Sequence, residues 1–278
     1  MVAPLELRPH TQRMTSPAPQ PRALTRWRAI NAATMVLVLV FNGLASSGKL
    51  SGSSVGNIAN RFSAAFLPAD YVFSIWGLIY LGLLAFTVFQ AAGGARSVRA
   101  VERLGPWWVV SSALNVVWLT TFCFAQFGLA MVAMLGLLVA LIVISERLRP
   151  LTASGTLAER LCVAWPFSMY LAWISVALIA NTFQYAHVVE WSGFGIAENT
   201  WAAVMMGVAT VLGWVMVAAR RLWLFPLVVG WAVWGIGVRF AQVPALHTPA
   251  LVTVPLGIGV GLAAMAVLVW RDRQRATS

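Results

Sequence analysis

FGLAMVAMLGLLVALIVI, residues 127–144, contains neither a charged residue nor a proline, and it decides the class of fold. Wound as an α-helix, this run is about 27 Å long, close to the roughly 30 Å of hydrocarbon in a bilayer. It ends in Ser145, Glu146, Arg147 and Arg149, groups that belong in water or among lipid headgroups. Seven more apolar stretches lie around it, over 29–45, 71–91, 107–125, 161–181, 201–219, 222–238 and 251–270. Each is bounded by charge, Pro, Gly or a polar cluster, and none alternates with period two. They therefore read as helices rather than barrel strands. The stretch over 222–238 carries Pro226 and three glycines, which predicts a kink or a tilt. With 60% of the residues apolar and 10% charged, the chain has too little charge to cover a water-soluble domain. The fold class is all-α integral membrane, with about eight transmembrane helices.

The net charge of +11 does not indicate nucleic acid, because the basic residues sit singly or in pairs at the ends of apolar runs. Sixteen of the 19 Lys and Arg fall in the N-terminal tail, in the even-numbered loops and at the C-terminus, leaving Lys49, Arg61 and Arg239 on the other side. Positive residues stay inside, so both termini are expected in the cytoplasm, with the inner membrane of a bacterial cell as the expected location. The first stretch also admits a signal-peptide reading, since Arg22, Arg26 and Arg28 precede a short apolar run ending in LASSG. Cleavage would leave seven helices.

Residues 1–26, rich in Pro, Arg and Thr, are expected to be a disordered cytoplasmic tail. The loop over 46–70 has a Gly/Ser half and a partly apolar half, which suits either a cover for a cavity mouth or a plain connector. A second long loop, over 187–200, is acidic through Glu190 and Glu198. Cys123 and Cys162 fall near opposite membrane faces and are not expected to pair. His10, His187 and His247 read as residues of loops or the tail, and without HxxxH or CxxC spacing no metal site or cofactor is expected. Of the 14 tryptophans, Trp27, Trp107, Trp108, Trp201, Trp223 and Trp270 lie at stretch ends and read as interface anchors. Trp76, Trp118, Trp173 and Trp214 lie inside stretches, where each indole N–H needs a buried acceptor or a ligand.

Three stripes at helical spacing combine aromatics with polar groups. Phe73, Trp76 and Tyr80 share one face; Asn115, Trp118 and Phe122 share another; Tyr170, Trp173, Ala177 and Asn181 form the third. Turned inward, they would line an aromatic chamber in which the two amides fix the polar edge of a planar apolar ligand. The same pattern is also ordinary helix-to-helix packing.

LPADYVFSIWGLIY (67–80), LNVVWLTTF (114–122) and YLAWISVALIAN (170–181) resemble, in order, three signature segments of the tryptophan-rich sensory protein or translocator protein family (TspO/MBR). The resemblance implies a five-helix bundle over 27–187 and a three-helix C-terminal extension over 188–278. It also implies an apolar ligand such as a porphyrin or a sterol, with a sensory, regulatory or transport role. The chain departs from the family pattern in three places. Pro68, Ala69, Asp70 and Tyr71 stand where the family has Pro-Pro-x-Trp. Ser111 stands for a Gln, and Met169 for the proline before the matched tyrosine, with Pro166 nearby.

Two other functional classes remain. A secondary transporter of a small solute is the alternative, without proton coupling, because no ionisable residue lies at mid-membrane. An intramembrane enzyme is disfavoured, because the stretches hold no nucleophile–base pair and no paired carboxylates. Gly257 and Gly261 form a GxxxG that serves packing within the chain or, as the second use, a homodimer. Membrane lipid is the other expected partner.

The charge asymmetry makes a direct prediction. In a variant without Cys123 and Cys162, single cysteines placed over 51–57 and 192–199 should react with an impermeant reagent on intact cells, and cysteines over 96–103 should not. Labelling of that last segment would reverse the orientation.

Overall fold

The computed structural model describes residues 21–152 and 155–277. They form α1 (Pro21–Ser46), α2 (Val55–Arg61), a 3-10 turn (Asp70–Ser74) leading into α3 (Ile75–Ala91), α4 (Ala95–Leu104), α5 (Trp107–Cys123) and α6 (Phe127–Thr152). A single turn, α7 (Leu157–Glu159), then runs through a π-helical turn (Arg160–Ala164) into α8 (Trp165–Val188). Last come α9 (Glu198–Arg220), α10 (Phe225–Arg239) and α11 (Pro244–Thr277). Among the described residues there is no strand. Six helical segments are long and apolar enough to cross a membrane, whereas α5 and α10 are apolar but shorter, at 17 and 15 residues. Every apolar stretch in the sequence is thus a helix, most of them extended by a turn or two at the ends.

Several expectations change. Residues 21–26, read as tail, are already helical, while residues 1–20 lie outside the described residues. His187 sits in the last turn of α8, and His247 lies within α11 with its Nδ1 2.9 Å from the Gly237 carbonyl. Neither is a loop residue. The basic loop after α3 is itself a helix, α4, whose buried Ala100, Val101 and Leu104 face the bundle while Arg103 donates to the Arg147 carbonyl at 3.1 Å.

Contacts close α1, α3, α8, α6 and α5 into a ring, each touching the next and α5 returning to α1. The crossing of α3 and α8 is close because Gly82 has no side chain; a Cβ there would lie 3.0 Å from Pro166. Pro166 also explains the π turn. It cannot donate a hydrogen bond, and just before it the Trp165 N–H reaches back five residues to the Arg160 carbonyl. Helices α9, α10 and α11 pack on one another and join the ring mainly where α10 meets α8. The GxxxG of α11 is spent inside the chain, since Cβ atoms at Gly257 and Gly261 would meet Thr210 of α9 and Pro226 of α10.

The loop after α1 is a packed cover and no plain connector. Ile58, Ala59, Ala64, Ala65, Phe66 and Leu67 are buried, Phe62 meets Phe127 edge-on at 4.9 Å, and Phe66 stacks on Phe183 at 5.5 Å. Its end is tied to α10, where the Ala69 N–H donates to the Gly235 carbonyl at 3.0 Å and Arg239 reaches Ser63 at 3.1 Å and Asp70 at 3.7 Å.

Gly235 is the tightest of these contacts, because a Cβ there would come within 2.1 Å of the Val72 side chain and 3.2 Å of Pro68. Val72 is β-branched and cannot swing away. Gly235→Ala should therefore cost about 1–3 kcal/mol of stability through overpacking. Gly207→Ala, whose Cβ would meet nothing within 4 Å, should be neutral or stabilising. Equal unfolding midpoints for the two variants would show that the 70–74 turn does not rest on α10.

Candidate functional site

The 3-10 turn Asp70–Ser74 positions the first stripe. Asn60 donates to both carboxylate oxygens of Asp70, and Trp231 donates to the Val72 carbonyl at 3.2 Å. These bonds fix the entry of α3, so that Phe73, Trp76 and Tyr80 face the ring of helices. The other two stripes, on α5 and α8, turn toward the same place. Trp76 is the hub: it stacks on Tyr80 at 5.3 Å and on Trp118 at 5.7 Å, and meets Tyr170 at 5.9 Å and Trp173 at 6.1 Å edge-on. Phe73 meets Trp173 at 6.2 Å, and Phe122 meets Trp118 at 5.8 Å. All are within the range of favourable aromatic pairs.

The three faces converge as the spacing predicts, but the rings close on one another instead of lining an open chamber. A cavity of about 10 Å³ beside the cluster, bounded by Ser111, Ser112 and Tyr170 among others, is no larger than a single water. The amides are occupied too. Asn115, fully buried, donates through Nδ2 to the Tyr170 hydroxyl at 3.0 Å and accepts at Oδ1 from Asn42 Nδ2 at 3.0 Å. Asn42 in turn accepts from the Tyr80 hydroxyl. Asn181 accepts from Trp118 Nε1 at 3.3 Å and donates to the Ala177 carbonyl at 2.9 Å, so Ala177 enters through its backbone. Within the cluster, Trp173 Nε1 is buried and has no hydrogen-bond partner. Phe73, Trp76, Tyr80 and Asn42 are only half-buried, unlike the residues of α5 and α8. The cluster is therefore more exposed on its α1 and α3 members than on those of α5 and α8.

Asn42 is the site residue that the stripes do not include. Its signal is a lone amide inside an otherwise apolar stretch, VLVLVFNGLA, which needs a buried partner. Trp108 also departs from its reading as an interface anchor. It is 2% exposed and donates to the Asn31 carbonyl at 3.1 Å and to Thr34 Oγ1 at 2.8 Å. Asn31 donates to Gln90 at 3.0 Å, making a second polar layer nearer the α4 end. Of the in-stretch tryptophans, Trp118 and Trp214 have the acceptors expected of them, Trp214 in the Gly257 carbonyl at 3.3 Å.

The two amides differ in how many bonds they hold across helices, which gives a test. Asn115→Leu leaves both Asn42 Nδ2 and the Tyr170 hydroxyl short of a partner, whereas Asn181→Leu strands only Trp118 Nε1. At about 0.6 kcal/mol for each interhelical bond in a membrane bundle, the first variant should lose roughly twice as much stability as the second. Equal losses on thermal unfolding in detergent would contradict the network.

No curated protein and no solved structure matches the chain. The family model described as TSPO-like protein matches residues 28–269. That span begins within α1 and runs through α9 and α10 into α11, so it takes in the three helices that the sequence reading set apart as an extension. A chain matched over most of its length, with its aromatic segments on α3, α5 and α8 gathered into one cluster, belongs to the TSPO-like protein family.

Proposed function

We propose that the chain is a receptor-like membrane protein that binds an apolar ligand of the tetrapyrrole or sterol kind at the Trp76 cluster, in a sensory, regulatory or transport role. Both termini would then lie in the cytoplasm, with the α2 cover on the opposite face. The observation that carries this reading is Trp173 Nε1, a buried donor without an acceptor inside an aromatic cluster. An unsatisfied buried N–H costs free energy, and a ligand with a polar edge would recover it. Entry is supported by the half-buried Trp76, Tyr80 and Asn42 between α3 and α1. Occupancy requires the stacked rings to part, so binding is expected to be an induced opening rather than insertion into a preformed space. Binding rather than catalysis fits a cluster built of indoles, phenols and amides, with neither a carboxylate nor an imidazole among them.

The second reading, a facilitator of a small solute without proton coupling, is favoured by a network around Asn115 that is built of amides and phenols, Asn42, Tyr170 and Tyr80. The ion pair of Arg239 with Asp70 lies at the end of α10 and the start of the turn before α3.

Binding of haem, protoporphyrin IX and cholesterol to purified protein, followed by tryptophan quenching, tests the proposal. Trp118→Ala should weaken binding about two- to tenfold, the equivalent of 0.5–1.5 kcal/mol for one aromatic contact. Trp173→Phe should leave the unliganded protein as stable or more stable, because the orphan donor is gone, and should weaken only ligands that accept a hydrogen bond. Wild-type affinity for all three probes in both variants would sink the site.

A further inference from the structure

A much larger space lies on the other side of α8. Between the last turns of α8, the loop over 189–197 and the first turns of α9 is a cavity of about 720 Å³, within the 300–1,000 Å³ typical of small-molecule sites. It is separate from the aromatic cluster by helix geometry. Trp173, Ala177 and Asn181 point into the ring, whereas Leu178, Thr182 and Ala186, at i, i+4 and i+8, line the outer groove. Its deep wall is apolar, from Leu178, Phe183 and Met205. Its rim carries two indoles, Trp191 and Trp201, 6.0 Å apart, and two carboxylates, Glu190 and Glu198.

The charge of this groove is opposite to that of the chain. The protein has 19 Lys and Arg against 8 Asp and Glu, yet no Lys or Arg lines the cavity, where the two carboxylates are joined only by the imidazole of His187. Among the described residues neither Glu190 nor Glu198 is ion-paired. Glu198 accepts one hydrogen bond, from the Ala65 N–H at 2.8 Å, and that bond holds the cover against α9. The loop is held in a conformation that side chains resist. Glu190 and Phe194 are left-handed, with φ of 51° and 56°, and Gly193 and Gly195 flank Phe194 at 65° and 79°. The Trp201 indole holds this segment by donating to the Gly193 carbonyl at 3.0 Å.

We propose that this groove is a second ligand site, selective for a hydrophobic cation: a single positive charge carried on an apolar body. Leu178, Phe183 and Met205 take the body. The faces of Trp191 and Trp201 and the carboxylates of Glu190 and Glu198 take the charge, and the same carboxylates repel an anion of equal size. The site stands apart from the Trp76 cluster and does not depend on what binds there.

Tetraphenylphosphonium and tetraphenylborate have nearly the same size and shape and opposite charge, so they separate charge recognition from apolar burial. Equilibrium dialysis of the full chain in an uncharged maltoside detergent, corrected with protein-free micelles, should show saturable binding of the phosphonium at one site per chain and none of the borate. Glu190→Gln with Glu198→Gln should weaken the phosphonium about tenfold, as expected for two partly exposed charges. Gln at 198 keeps an acceptor for the Ala65 N–H, and Glu190→Gln alone, which touches no structural hydrogen bond among the described residues, should weaken binding several-fold if the double variant unfolds. The proposal is overturned by equal saturable binding of both ions, by no saturable phosphonium binding, or by undiminished binding in Glu190→Gln.

Discussion

Inside hydrocarbon a side-chain amide has no water to turn to, so each of its polar atoms must be matched within the protein. Asn115 is where this demand is concentrated. It sits on α5, accepts from Asn42 on α1, donates to Tyr170 on α8, and through Asn42 is linked to Tyr80 on α3. Four of the five helices in the ring are thereby set to one depth and one rotation. Apolar packing alone would not do this, because sliding a leucine face by one turn against lipid-like neighbours costs little. The stacking of Trp76 on Tyr80 and Trp118 follows, since each ring lies within one turn of a residue already fixed by the amide chain.

Much of this was legible in the sequence because transmembrane helices advertise themselves by length and polarity. The eight apolar stretches are helices, and the stripes through Trp76, Trp118 and Trp173 meet. What the pattern could not convey was occupancy. Spacing places three aromatic faces toward one another, yet whether they enclose a space or fill it depends on ring rotamers that have no sequence signature. Asn42 escaped because it stands alone without a stripe of its own. Trp108 was misplaced by position: an indole at the end of a stretch resembles an anchor, but Asn31 and Thr34 supply buried acceptors one helix away. The groove behind α8 was invisible for a similar reason, since it depends on a short loop with four left-handed residues.

The last three helices also look different once their contacts are known. Gly235 lets α10 approach the 70–74 turn, Gly237 lets it approach Ala250 of α11, and Gly257 and Gly261 seat α11 on α9 and α10. Small residues at these crossings replace the larger side chains that would hold the backbones apart. Because Ala69 and Trp231 bond across this junction, α10 braces the entry of α3 and so the position of Phe73 and Trp76. The three-helix group therefore supports the aromatic cluster structurally, which accords with a family match that runs across it.

The two sides of α8 show opposite uses of polarity. On the inner side the amides of Asn42, Asn115 and Asn181 are spent within the protein, and the Trp173 N–H is buried among rings without a partner. A ligand there would compete with existing stacking, so its affinity must be the difference between new contacts and those it displaces. On the outer side, the cavity is already open, and neither of its two carboxylates is ion-paired among the described residues. There a ligand has little to displace. One helix thus separates a filled site, where discrimination would come from the cost of opening, from an open one, where it would come from the sign of charge. Discrimination of the second kind requires the carboxylates to stay near the low-dielectric boundary without entering it, and a place on the loop and on the first turn of α9, beside the indoles of Trp191 and Trp201, suits that condition.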